Sequence, residues 1–181
     1  MQNIKTFSGN NETDIWTQVA EDMGSTGLLD YQVQINQGGH LVNIVVDIDL
    51  GGGFEGGFEM TEFSASLGAE SEYKFAIHNE DFLDEIGKFF GMQDVALGYA
   101  EFDKKVIVKT NNDDTTRKLF AGHPLQTFIN EIGTNFNLAI TGSGHDRKLE
   151  MTLEKGVTDV HALQKMYGFF YGLLIQIEIP A

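Results

Sequence analysis

GYAEFDKKVIVKTNNDDTTRKLFAGHPLQTFI, residues Gly98 to Ile129, is a strand-turn-helix passage in which the local signals agree. Val106 and Val108 alternate with Ile107 and Lys109, the period of two that a strand requires. Asn111, Asn112, Asp113 and Asp114 supply the short polar side chains that cap helices, so TTRKLFA reads as a helix, broken by GHP before a second begins at Leu125. Phe102 is expected to anchor the strand entry, and the Asp103 carboxylate to accept backbone amides in the turn. Phe102, Asp103 and Asp113 are therefore read as structural turn residues.

Working outward, antiparallel hairpins are predicted over 28–78 and 134–155. Tyr31, Val33 and Ile35 alternate with polar residues, then Val42, Ile44, Val46 and Ile48 do the same after the QGG turn. Strand 58–67 is expected to pair with 72–78 and complete a four-stranded meander. In the last third, Phe136, Leu138 and Ile140 alternate, GSGHD turns, and Leu149, Met151 and Leu153 alternate back. Helices are predicted over 12–23, 80–90, 113–132 and 158–175, the third of them interrupted at GHP, and Asn79 and Thr158 are read as caps. Strands followed by helices without βαβ periodicity give an α+β class, read as a single domain over 1–181.

The chain has 181 residues, enough for one generous core, and carries a formal charge of -15. Met1 to Tyr73 holds 12 acids against Lys5 alone, a local charge of -11, so the remainder carries only -4. Such a field repels phosphate backbones and anionic headgroups, and no basic cluster offsets it, so nucleic acid and membrane surfaces are not expected partners. With no cysteine, thiolate and disulfide chemistry is excluded. MQNIKTFSGNNETD has no basic segment leading into an apolar run, so the expected location is cytoplasmic.

The passage around Phe102 resembles bacterial domains of unknown function similar to the DUF3137 group, in which a phenylalanine-aspartate-basic turn leads into a strand, an acidic cap and two helices. The matching residues are Phe102, Asp103, Lys104, Val106, Val108, Asp113, Arg117, Leu119, Phe120, Leu125 and Ile129. The resemblance covers about the middle fifth of the chain and implies a fold; it brings no catalytic residues. Membrane-spanning segments that accompany several such domains have no counterpart in this sequence.

No catalytic constellation emerges. The five histidines are scattered, so no metal or cofactor site is expected. The glycine loop over 51–57 contains Glu55 and lacks the lysine and hydroxyl of a phosphate cradle. DIDL lacks the remaining ligands of a calcium loop. Ser143, His145 and Asp146 crowd one hairpin turn, which does not make a triad. Two functions of different class stay open. One is a protein-interaction or self-association module, a homodimer for example, using the acidic N-terminal sheet or the aromatic run Phe169, Phe170 and Tyr171 as its contact surface, with Glu55 as a further binding candidate. The other is a small-molecule-binding domain or undetected enzyme with a pocket between the sheet and the helix at 80–90 or 158–175.

Overall fold

A computed structural model describes residues 4–9, 11–52, 56–79, 91–100, 102–121, 125, 127–129, 133 and 135–178. The fold is α+β. The described strands are β1 (Lys5–Ser8), β2 (Asp30–Gln37), β3 (His40–Asp49), β4 (Phe58–Ser66), β5 (Phe75–Asn79), β6 (Gln93–Asp94), β7 (Val106–Thr110), β8 (Phe136–Thr141) and β9 (Lys148–Leu153). They form one sheet in the order β1-β2-β3-β4-β9-β8-β5-β7-β6. Only the β1–β2 pair is parallel.

The expected strand pairing changes at the centre of the sheet. Strand β4 pairs with β9, Thr61 opposite Leu153 and Ala65 opposite Leu149, while β5 lies between β7 and β8. The predicted 58–67 to 72–78 pairing is thus replaced by a seam between distant segments. Alternation sets which face a strand buries but says nothing about its neighbour. Strands β1 and β6, at the two edges of the sheet, are additions, since KTFS and QD are too short and polar to carry a period.

The long helices are α1 (Glu12–Ser25) and α3 (Val160–Glu178), and α2 (Asp113–Leu119) is short. Asn11 caps α1 by accepting from Asp14 N at 2.9 Å. Asn112 caps α2 by accepting from Thr115 N at 3.1 Å. Asp159, not Thr158, caps α3, its Oδ1 accepting from Ala162 N at 2.8 Å. Leu125 and residues 127–129 are helical. The helix predicted over 80–90 and most of 120–132 lie outside the described residues, and Asn79 ends β5.

Helices α1 and α3 pack on one another and on the same sheet face. Trp16 meets Tyr167 edge-on at 5.6 Å between ring centroids, and Phe63 of β4 lies 5.9 Å from Phe170. Ile15, Ile35, Ile44, Leu138 and Ile140 are fully buried in the same core. Leu173 to Ile179 also alternates like a strand, yet α3 runs to Glu178, because Leu173 and Leu174 are both buried there and only a helix places neighbours on one broad face.

The β2–β3 turn is fastened to α3. Gly38 and Gly39 have φ of 59° and 85°, as a two-residue hairpin turn with both central residues left-handed requires. A Cβ on Gly38 would lie 2.7 Å from the Tyr171 hydroxyl, which donates to Gln37 O at 3.1 Å. Tyr167 donates to Gln37 Oε1 at 2.9 Å, and His40 Nδ1 meets Glu178 Oε2 at 2.8 Å. On the far half of the sheet, buried Arg147 donates to Gly68 O and Tyr73 O, both at 3.0 Å.

At the seam, the fully buried Thr61 hydroxyl donates to Lys155 O at 2.7 Å and accepts from Val157 N at 2.9 Å. Thr61→Val keeps the shape and leaves both backbone groups unpaired. It is expected to lower stability by about 1–3 kcal/mol in urea unfolding; an unchanged midpoint would mean that water replaces the hydroxyl.

Burial also pushes the Tyr73 hydroxyl up to about 12, with the Thr116 hydrogen bond and the Arg147 charge opposing it. Tyr31 and Tyr167 are raised as well, each chiefly by burial. Because the folded values exceed the unfolded value near 10, the stability these phenols contribute is complete below about pH 10 and is lost as pH rises through the raised values, about 12 for Tyr73. Alkaline unfolding should therefore coincide with late tyrosinate absorbance. Titration of all the tyrosines near pH 10 without unfolding would contradict this.

Candidate functional site: the open face of the sheet

The face opposite α1 and α3 is used in two ways. Along β5 and β8, Ala76, Ala139 and His78 are buried on this side, and Met92 packs on the two alanines. Across β2, β3, β4 and β9 it is polar and partly exposed. Gln32, Val45, Glu62 and Thr152 form one transverse row, and Gln34, Asn43, Ser64 and Glu150 the next. Within the second row Gln34 Nε2 donates to Asn43 Oδ1 at 2.7 Å, and Thr141 of β8 donates to its Glu150 Oε2 at 2.6 Å. An antiparallel sheet tolerates such a wet face because its in-out alternation separates the two sides completely.

Carboxylates dominate this face. Asp30 lies opposite Asp47 in the register, Asp47 opposite Met60, and Asp49 opposite Phe58. Like charges directly across a ladder destabilise it, so the sequence tolerates a local cost there. Lys148 lies among them and binds Glu150 Oε1 at 2.8 Å. That hydrogen bond, with the charges of Glu150, Glu62 and Asp146, raises the lysine above its ordinary value.

At the β3–β4 end the polar face meets apolar side chains. Phe58 is 50% exposed and Leu50 74%. Gly57 pins the base of the hairpin: a Cβ there would lie 2.3 Å from Asp49 O, so only glycine lets the strands close. Asp49 Oδ1 accepts from Gly51 N at 2.9 Å. Glu55, expected at this tip, lies outside the described residues.

Each ring of the aromatic run on α3 has a partner within the fold. Phe170 is fully buried. Phe169 stacks on Phe128 with centroids 4.0 Å apart, and Tyr171 stacks on Tyr167 at 5.6 Å while bonding Gln37. The three rings lie on three sides of one helix, each with an internal partner, and Phe169 and Tyr171 stay partly exposed. Gly168 and Gly172 do not seat α3 on the sheet either, since a Cβ on either would meet nothing within 4 Å.

Asp103 accepts from Leu97 N with Oδ1 and from Gly98 N with Oδ2, both at 2.9 Å. Phe102 is buried in the core, and Asp113 occupies the first turn of α2 beside its Asn112 cap. Arg117 of α2 donates to Ala96 O and ties the same loop from the other side. These residues stand at the far end of the sheet from Phe58, β7 being separated from β4 by β9, β8 and β5.

Phe58 was the residue that sequence reading passed over. Its signal was present: an aromatic at the first position of a strand whose buried set, Thr61, Phe63 and Ala65, falls on the odd positions. Between α3 and the ends of β8 and β9 there is also a cleft of about 560 Å3.

Among the described residues, no group of three or more His, Asp or Glu side chains is placed to hold a metal. Nor is any helix among them long and apolar enough to cross a membrane. No family model and no curated protein matches the chain, so the likeness to the DUF3137 group rests on the residues quoted for it.

Asp103→Ala removes the acceptor of two backbone amides. It is expected to cost about 1–3 kcal/mol in thermal or urea unfolding. An unchanged melting curve would show that the turn holds without it.

Proposed function

We infer that this protein works by association with another protein, and that the acidic open face of β2, β3, β4 and β9 is its contact surface, with Phe58 as the apolar anchor. The observation that carries this reading is the juxtaposition at the β3–β4 end: an exposed aromatic beside Asp49, with the opposed pair Asp30 and Asp47 next to it. Interfaces concentrate binding in a few aromatic anchors ringed by polar groups, and complementary charge steers the partner to them. A lysine or arginine from a partner would relieve the repulsion between Asp30 and Asp47, so this face favours a basic partner surface. The aromatic run on α3 has no part in the reading, because its rings already have internal partners.

The test is retention of partners from lysate on immobilised protein at low salt, compared across variants. Phe58→Ala and the double variant Asp30→Asn with Asp47→Asn should each reduce the same retained species about tenfold, a loss of about 1.4 kcal/mol. The double variant should melt no lower than the parent, since it removes like-charge repulsion. Retention that ignores both variants, or no retained species at low salt, would overturn the assignment.

A further inference from the structure

On the open face, β3 and β4 present two parallel files of side chains. Phe58 and Met60 share one side of β4, Phe58 half exposed and Met60 partly so. Across the ladder, Asp49 faces Phe58 and Asp47 faces Met60, with Asp30 of β2 beyond Asp47. An apolar file thus runs beside an acidic one, and within each the side chains stand about 7 Å apart, two residues of strand.

Acid outweighs base around these files. Residues 28–62 hold six acids and no lysine or arginine. Next to β4, β9 starts with Lys148, bonded to Glu150, and is followed by Glu154 and Lys155. Outside the described residues, lysine and arginine amount to Lys88 alone, in a stretch, 80–90, that also holds four acids. A second copy of a chain of net charge -15 would be repelled here, whereas a partner bearing lysines or arginines would be drawn in. Among the described residues no three acids are placed to hold a metal, so the carboxylates suit a row of side-chain cations better than a single ion.

The backbone narrows the partner further. Strands β2, β3, β4 and β9 are each paired on both sides, so none offers a free edge to an added strand. A segment docking on this face must satisfy its own backbone, as a helix does. Helical residues four apart lie about 6 Å apart along the axis, close to the spacing within each file. A helix with apolar residues at i and i+4 and basic residues on the adjoining flank can therefore lie along β3 and β4.

We propose that the open face receives an amphipathic helix of a partner protein, its apolar residues on Phe58 and Met60 and its lysines or arginines over Asp47 and Asp49. Such a helix completes a third layer, opposite α1 and α3. The proposal rests on the association reading and names the chemistry of its partner.

The probe is a fluorescein-labelled leucine–lysine peptide of about four helical turns, its leucines on one face, titrated by anisotropy against the folded full-length protein at low salt. Saturable binding with a gain of helical circular dichroism is expected. Met60→Gln and Asp49→Asn should each weaken it about tenfold, the equivalent of about 1.4 kcal/mol, with melting curves close to that of the parent. A peptide with a central proline, which keeps the charge but breaks the helix, should also bind about tenfold more weakly. Equally tight binding by a lysine-only peptide would overturn the apolar half of the proposal. Equal binding by the proline peptide, binding insensitive to both protein variants, or no binding would overturn the helix altogether. The association reading would outlive that result if lysate partners are still retained and are lost with Phe58→Ala, and would fall with it if they are not.

Discussion

The ladder between β4 and β9 is the interaction on which the rest of the structure depends. It joins Thr61–Ser66 to Lys148–Leu153 and so brings together a hairpin system made early in the chain and one made late. Closing so long a loop costs entropy, but that cost grows only logarithmically with length, and the seam recovers it in hydrogen bonds and in the burial of Phe63 and Met151. Once formed, it places Phe63 under Phe170 and hands Lys155 and Val157 to the Thr61 hydroxyl. The seating of α3 and the shape of the cleft both follow from that one pairing.

The same seam explains why the two sheet faces differ. With α1 and α3 packed side by side on one face, β2, β3, β4 and β9 keep their other face in water. That face carries Asp30, Asp47, Asp49 and Glu62, four of the twelve acids of Met1 to Tyr73. Charge that the sequence displays only as a regional imbalance becomes a directed field, because alternation puts Asp30, Asp47, Asp49 and Glu62 on one side. Solubility alone would not require Asp30 and Asp47 to stand opposite each other.

Much of the architecture was legible in the residues. The alternation in Tyr31–Ile35, Val42–Ile48, Phe136–Ile140 and Leu149–Leu153 specified strands and their buried faces. Asn11 and Asn112 marked helix starts, and Asp103 marked a turn, because each acts through local hydrogen bonds. What could not be read was partnership across distance. Nothing in FEMTEFSAS distinguishes KLEMTL from YKFAIH as its neighbour, since all three offer a similar alternating face. The packing of the aromatic run was hidden for a related reason: Phe169, Phe170 and Tyr171 point to three sides of a helix, and how far each side is covered depends on Phe128, Phe63 and Gln37. The cleft was equally hidden, because Leu153, Val157 and Met166, which line it, look like ordinary core positions.

The fastening of the β2–β3 turn to the last turns of α3 has a bearing on how the molecule is made. During synthesis the first hairpin emerges well before Tyr167, Tyr171 and Glu178 exist to clasp it, and β4 emerges with one edge unpaired until β9 follows. An exposed strand edge is a template for pairing with other chains. The strands β2 to β4 are therefore made before the residues that lock them, and the carboxylates along them repel like-charged neighbours in that interval.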